Sequence, residues 1–362
     1  MSQLFSPYSL KDVTYKNRIV VSPMCQYSSE DGVANDWHLV HLGARAVGGA
    51  GLVIAEATAV SPEGRISPGD AGLWNDSQIE PLARINHFVA AHGAVPGIQI
   101  AHAGRKASAA LPWNGGHHLE ANEGGWETIA PTSEPFGAEL PKAPRAMTTG
   151  DIQRVKSNFV DTAKRALAAG YRTLQLHFAH GYLAHEFWSP LVNNRTDQYG
   201  GSWENRARFL LETLEAVREV WPENLPLMAR LSVTDWTEGG VTVEESIELA
   251  IAFKKRGLDL LDVSHGFAIP DISRIPWGPG FLVPIAEKIR QAAGIPVSVG
   301  WLVSEPQQAE AIVANGQADL VMLARGSLAD PHWPYHAAKA LGVEHPANLL
   351  PVQYSGALKR WR

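Results

Sequence analysis

The chain has 362 residues, of which 45% are hydrophobic and 19% charged, enough apolar material for a large buried core. Thirty-one Lys and Arg against 37 Asp and Glu leave a net charge of −6, which gives no electrostatic case for nucleic acid, and no Lys/Arg cluster marks a membrane surface. The single cysteine, Cys25, excludes an intrachain disulfide, a Cys-ligated iron–sulfur cluster and a Cys-rich zinc site.

The opening MSQLFSPYSLKDV is polar, and no apolar run approaches the roughly 18 residues of a membrane span, so a cytoplasmic protein is expected. The first strand is read at RIVVSPM (18–24), followed by a helix from about Asp36 to Val47. GLVIAEAT (51–58) is the second strand, with a helix over 76–92, and PGIQIAHAG (96–104) is the third. Residues 111–148 are rich in Gly, Pro and Trp without periodicity and read as a long inserted loop region. Asp151 opens a helix in which Ile152, Val155, Phe159, Ala163 and Ala166 recur at helical spacing, with Gly170 as its C-terminal stop. TLQLHFAH (173–180) is the fourth strand; a polar loop and a helix from about Trp203 lead to LPLMARLS (225–232), the fifth. A helix over 243–256 leads to LDLLDVSH (258–265), one over 282–292 to IPVSVGW (295–301), and one over 304–314 to DLVMLARG (319–326). Eight apolar strands alternating with helices imply parallel pairing, and hence a (β/α)8 TIM barrel built as a single domain over 1–362. An open doubly wound sheet competes, weakened because no G-x-G-x-x-G follows the first strand.

In a barrel, chemistry gathers at the C-terminal ends of the strands. Those ends read Ser22-Pro23-Met24-Cys25, Glu56-Ala57-Thr58, Gln99 to His102, His177 to His180, Arg230, Ser264-His265, Gly300-Trp301 and Ala324-Arg325. The last two units often form a phosphate site. Gly300 permits close backbone approach, and Arg325 can grip a phosphate through two parallel hydrogen bonds, a salt bridge being its alternative role.

The stretch HFAHGYLAHEFW (177–188) poses a choice. Zinc would need His177, His180 and His185 to converge within about 2.1 Å of one ion. Gly181 and the turn interrupt any helix there, and Glu56 is the one carboxylate at a strand end, with Asp235 a few residues past the fifth, so no metal is expected. The alternative is a pair of imidazole N–H donors, His177 and His180, aimed at one oxygen above the mouth, with Tyr182 as a weak acid beside them. Satisfied buried histidines are the third possibility.

SPMCQY (22–27), IQIAHAGRKA (98–107), HFAHGYL (177–183) and NNRTDQYGGSWENRARF (193–209) resemble the old yellow enzymes, FMN-dependent ene-reductases built on a (β/α)8 barrel. The resemblance runs from about residue 3 to 335, and Cys25 with Tyr27, together with His177-x-x-His180, is similar to the thermophilic-like branch. It implies that Ser22, Pro23, Met24 and Cys25 line the flavin, Cys25 tuning its redox behaviour. Ala57 and Gln99 touch the ring system, Arg230 lies near N1 and O2, and Gly300, Ala324 and Arg325 take the phosphate. His177 and His180 hold the substrate oxygen or a phenolic ligand, Tyr182 donates a proton, Tyr27 faces the substrate and Trp301 forms a pocket wall. Electrostatics agrees for Arg230: a cation about 4 Å from the reduced ring's negative charge contributes ~4 kcal/mol at an effective dielectric of roughly 20.

The implied reaction takes hydride from NADPH or NADH onto FMN, then from N5 to the β-carbon of an enone, enal or nitro compound. The implied assembly is a homodimer or homotetramer, whose tail (about 343–362) can contact a neighbouring subunit through Arg360, Trp361 or Arg362. Ala324 departs from the family, where Gly is frequent. Asp197, Asn205 and Arg206 read as structural ties. Rival readings are Cys25 as a nucleophile, although no base adjoins it in sequence; a flavin-free lyase with Lys106 as its only Schiff-base candidate; and a non-catalytic binding barrel.

Overall fold

The computed structural model describes residues 2–360. Eight parallel strands close on themselves. In chain order they are β1 (Ile19–Val21), β2 (Leu52–Ala59), β3 (Val95–Ala101), β4 (Thr173–Phe178), β5 (Leu227–Ser232), β6 (Leu260–Ser264), β7 (Val297–Val299) and β8 (Leu320–Leu323). Each pairs with the next, and Leu323 beside Val21 closes the ring between β8 and β1. The expected (β/α)8 barrel is the fold; the open sheet is not. Every residue of β4, β5 and β6 is buried, as parallel strands covered on both faces require.

The helices are α1 (Asp36–Val47), α2 (Ile79–Ala91), α3 (Thr149–Ala168), α4 (Leu183–Trp188), α5 (Trp203–Val220), α6 (Val243–Lys255), α7 (Val283–Ala293), α8 (Pro306–Ala314), α9 (Arg325–Ala329), α10 (Trp333–Ala340) and α11 (Val352–Leu358). The apolar stripe read on α3 is buried as drawn, from Ile152 to Ala166. The helix starts two residues before Asp151, because Asp151 is not its first residue but half of its cap. Thr148 Oγ1 accepts from Asp151 N at 3.1 Å, and the Asp151 carboxylate accepts from Thr148 N at 2.9 Å. Replacing Thr148 by Ala is expected to lower stability by ~1 kcal/mol, read as a shift in the urea or thermal unfolding midpoint.

An antiparallel hairpin, Tyr8–Leu10 with Val13–Tyr15, closes the N-terminal end of the barrel. The Tyr15 and Thr173 hydroxyls share a buried hydrogen bond of 3.1 Å at the first residue of β4. The segment 111–148 holds short single turns and one two-residue parallel pair, Ile129–Ala130 with Arg145–Ala146. Arg195 ties it down, donating to the carbonyls of Pro131 and Met147 at 2.7 Å each. Asp197 pairs with Arg195, Asn205 donates to Gly200 O, and Arg206 donates to Trp188 O and pairs with Glu245, so this block acts as scaffolding. The tail folds back on α10: Tyr335, Ala347 and Leu350 form a small apolar cluster with Leu358. Trp361 and Arg362, offered above as reaching a neighbour, lie outside the described residues. No described helix is long and apolar enough to cross a membrane.

Candidate active site

Polar residues scattered through apolar strands turn inward and join across the barrel. Gln99 Nε2 donates to Gln175 Oε1 at 2.7 Å, and Gln175 Nε2 to Asp262 Oδ2 at 3.1 Å. Ser298 donates to Asp262 Oδ1 at 3.0 Å, Arg230 pairs with Asp262, and Arg230 Nη2 donates to Ser22 Oγ at 2.8 Å. Burial pushes the Asp262 carboxyl up, and the Arg230 guanidinium opposes this. The layer therefore carries a fixed cation just beneath the C-terminal mouth, anchored by a buried carboxylate on its far side.

Above it lies a cavity of about 990 Å³, a size that suits a cofactor-binding cleft. Ser22, Pro23 and Arg230 line one side; Gly300, Trp301, Ala324 and Arg325 line another, with His180 between. Arg325 opens α9 and faces this cavity, so the alternative of a salt bridge is not its role among the described residues. Gly300 is needed for packing as well as access: a Cβ there would lie 2.4 Å from the Met322 carbonyl oxygen.

His177, His180 and Tyr182 come together beside this cavity. The His177 ring centroid is 5.1 Å from that of His180 and 5.1 Å from that of Tyr182. Burial, then the charge of Arg230 for His177 and the neighbouring His177 for His180, holds both rings well below the usual imidazole range, so both are neutral. Ser232 Oγ accepts from His180 N at 2.9 Å, and Ser264 Oγ lies 2.5 Å from His180 Nε2. Ser264 Oγ also accepts from Trp301 Nε1 at 2.9 Å. Among the described residues, His177 Nδ1 is buried without a hydrogen-bond partner.

Cys25, Tyr27 and Tyr182 lie close to one another. Burial, reinforced by Asp70 and Glu56, pushes the Cys25 thiol up, which keeps it protonated and removes the thiolate that a nucleophilic role needs. Tyr27, in the left-handed region at φ 51°, packs edge-on against Trp113. Ala57 and Tyr182 line one small cavity with Asp70. A register slip between Ala55 and Ala57 turns the Glu56 carboxylate aside to accept from Gln26 N and face His38 Nε2, so Glu56 serves the loop. Met24 packs partly buried against the core rather than lining the large cavity.

The zinc alternative fails on His185. Its Nδ1 accepts from Gly181 N at 2.9 Å and its Nε2 faces Asp235 Oδ1 at 3.1 Å, both groups fully buried. The Schiff-base alternative fails on Lys106, whose Nζ donates to the carbonyls of His180 and Phe267 at 2.8 Å each. Sequence reasoning missed Asp262, Gln175 and Ser298, and named Ser264 at a strand end without giving it a role. Their signal was a polar side chain inside an apolar strand, which says that something polar is being met inside the barrel.

The family model described as "NADH:flavin oxidoreductase / NADH oxidase family" matches residues 3–344. The chain belongs to this family. An NADPH dehydrogenase of Geobacillus thermodenitrificans (strain NG80-2) is 46% identical over 361 residues, 99% of this chain and 98% of that one. An NADPH dehydrogenase of Bacillus velezensis is 46% identical over 358 residues, 98% of this chain and 99% of that one. Among solved structures, morphinone reductase superposes with a TM-score of 0.78 at 28% identity, covering 98% of this chain and 95% of that one. A 2-naphthoyl-CoA reductase complex gives 0.85 at 28% identity over 97% of this chain, which spans only 54% of that longer one. The old yellow enzyme resemblance thus holds, and the protein is an FMN oxidoreductase that works with NAD(P)H. The residues fit the cofactor: a buried Arg230 under the mouth, a glycine where β7 and β8 pack close, and Arg325 facing the cavity from the end of β8.

Proposed function

We propose that this family member is an ene-reductase, reducing α,β-unsaturated ketones, aldehydes and nitro compounds, with phenols as ligands of the same seat. The observation that carries this is the His177–His180–Tyr182 cluster set at the mouth beside the buried Arg230. Bound FMN supplies the two-electron carrier between NAD(P)H and the acceptor. The chain's own part is to hold that acceptor and move its proton.

Two neutral imidazoles are donors, not charges. His177 Nδ1 has no acceptor to donate to, which leaves its proton on Nε2. Ser264 accepts from Trp301 and can give its own proton to His180 Nε2, which leaves the Nδ1 proton of His180 free for a ligand. Aimed at one carbonyl or nitro oxygen, the pair withdraws electrons from the conjugated double bond and stabilises the charge that forms on that oxygen. Tyr182 then protonates the α-carbon. Ser22, Pro23, Cys25, Ala57, Gln99 and Arg230 would hold the flavin ring, and Gly300, Ala324 and Arg325 its phosphate. Tyr27 and Trp301 bound the acceptor's seat, with Cys25 tuning the ring's potential. A cytoplasmic homodimer or homotetramer belongs to the same reading.

The test is anaerobic. Enzyme reduced with one equivalent of NADPH is mixed with 2-cyclohexenone or a nitroalkene and followed by flavin absorbance. Rapid reoxidation with formation of the saturated product is expected. Reduced enzyme that survives both acceptors yet reoxidises in oxygen would show an NADPH oxidase without ene-reductase activity.

A further inference from the structure

Among the described residues, the half-buried Lys106 ammonium pairs with no carboxylate. It bonds two backbone carbonyls, those of His180 and Phe267, each at 2.8 Å. Both residues sit in the left-handed region, His180 at φ 63° and Phe267 at φ 68°, where non-glycine side chains are strained. They belong to different loops, one after β4 and the other after β6, and their rings meet edge-on at 5.8 Å. Phe267 in turn stacks on Trp301 at 5.7 Å. The two loops also touch at Gly181, where a Cβ would lie 1.9 Å from Phe267 O and 2.8 Å from Lys106 Nζ. No larger residue fits between them.

We propose that Lys106 is a positioning residue: its ammonium clamps the His180 and Phe267 carbonyls, fixing the His180 imidazole and the Phe267–Trp301 wall as one acceptor-gripping unit. This rests on the reading of His177 and His180 as the acceptor's donors. The clamp suits a lysine because three N–H donors on one atom can serve two carbonyls at once. Phe136 covers the ammonium with its ring centroid 4.2 Å away, replacing water on that side. Burial pulls the Lys106 amine down to about 7, with Glu186 opposing and Arg105 adding to the drop, and even a neutral amine keeps two N–H donors for the two carbonyls. Among the described residues the Lys106 ammonium makes no hydrogen bond to Arg230 or Arg325, so its loss should act on the acceptor and not on FMN.

The experiment compares Lys106→Met, Lys106→Gln and His177→Ala with the parent, all as FMN-loaded protein. A para-substituted phenol is titrated by isothermal calorimetry and KM and kcat are measured with 2-cyclohexenone. Lys106→Met should weaken phenol binding and raise the enone KM by at least 10-fold with FMN content unchanged. Lys106→Gln, which still carries an N–H donor, should fall between it and the parent. Added propylammonium should restore part of the phenol affinity in a Lys106→Ala protein. Phenol affinity within two-fold of the parent in Lys106→Met, or failure of all the Lys106 variants to fold with FMN, would overturn the clamp. If His177→Ala binds phenol normally, the donor reading itself fails; if His177→Ala loses phenol and Lys106→Met keeps it, only the clamp fails.

Discussion

With His177 and His180 both changed to alanine, the protein is expected to keep its FMN and lose both phenol binding and enone turnover. Removing one donor from a site of this kind lowers kcat by roughly 10²–10³, so the double change should approach the detection limit. The physical reason lies in the state of the two rings. Burial keeps both neutral, so neither acts as a charge that distant groups can replace. Their effect depends on N–H groups held beside the cavity, and alanine offers none. Ser264 would lose the imidazole it touches, whereas Ser232 still accepts from the backbone N–H of residue 180, and both keep their places in β5 and β6. The cofactor's expected anchors, Arg230 in β5 and Arg325 at the start of α9, are untouched by the change and should retain FMN. The measurement is flavin absorbance for loading, calorimetry for phenol and steady-state rates for the enone. Retention of both phenol binding and turnover would make the two histidines structural.

The barrel was legible because parallel strands buried on both faces must be written as short apolar runs. The ends of those runs marked the mouth, which is why Ser22, His180, Arg230, Gly300, Trp301, Ala324 and Arg325 fall on one cavity. Three things were hidden. The register slip in β2 redirects Glu56 from the mouth to His38, and a slip of one residue leaves no mark in an apolar run. His185 looks like its neighbours at 177 and 180, yet a short helix turns it onto Asp235, fifty residues on in the chain and invisible by spacing. Lys106 reads as a Schiff-base candidate near a strand end, and only the tertiary meeting of the β4 and β6 loops shows what it holds. In each case the missing information is a long-range contact, not a residue type.

Tyr182→Phe is expected to slow reoxidation of the reduced enzyme by an enone by roughly 10²–10⁴-fold while leaving reduction by NADPH near the parent rate. On the proposed reading, hydride arrival at the β-carbon leaves the α-carbon in need of a proton, and Tyr182, 5.1 Å from the His177 ring centroid, is the acid that would supply it. Reduction by NADPH needs no such proton, so a uniform fall in both half-reactions would point to a packing role instead. The pH profile sharpens the test. Burial above all, with smaller contributions from the neighbouring Cys25 and Asp70, pushes the Tyr182 phenol above its ordinary value of 10.0. A raised value means that the folded protein keeps the phenol protonated, so the donor is fully present below pH 10 and lost only above that. The oxidative half-reaction should therefore show no alkaline decline through pH 10 in the parent. A decline centred near neutral pH would assign the proton to a different group. The small cavity shared by Tyr182 and Asp70 then names the first residue to replace, because burial raises that carboxyl to about 7.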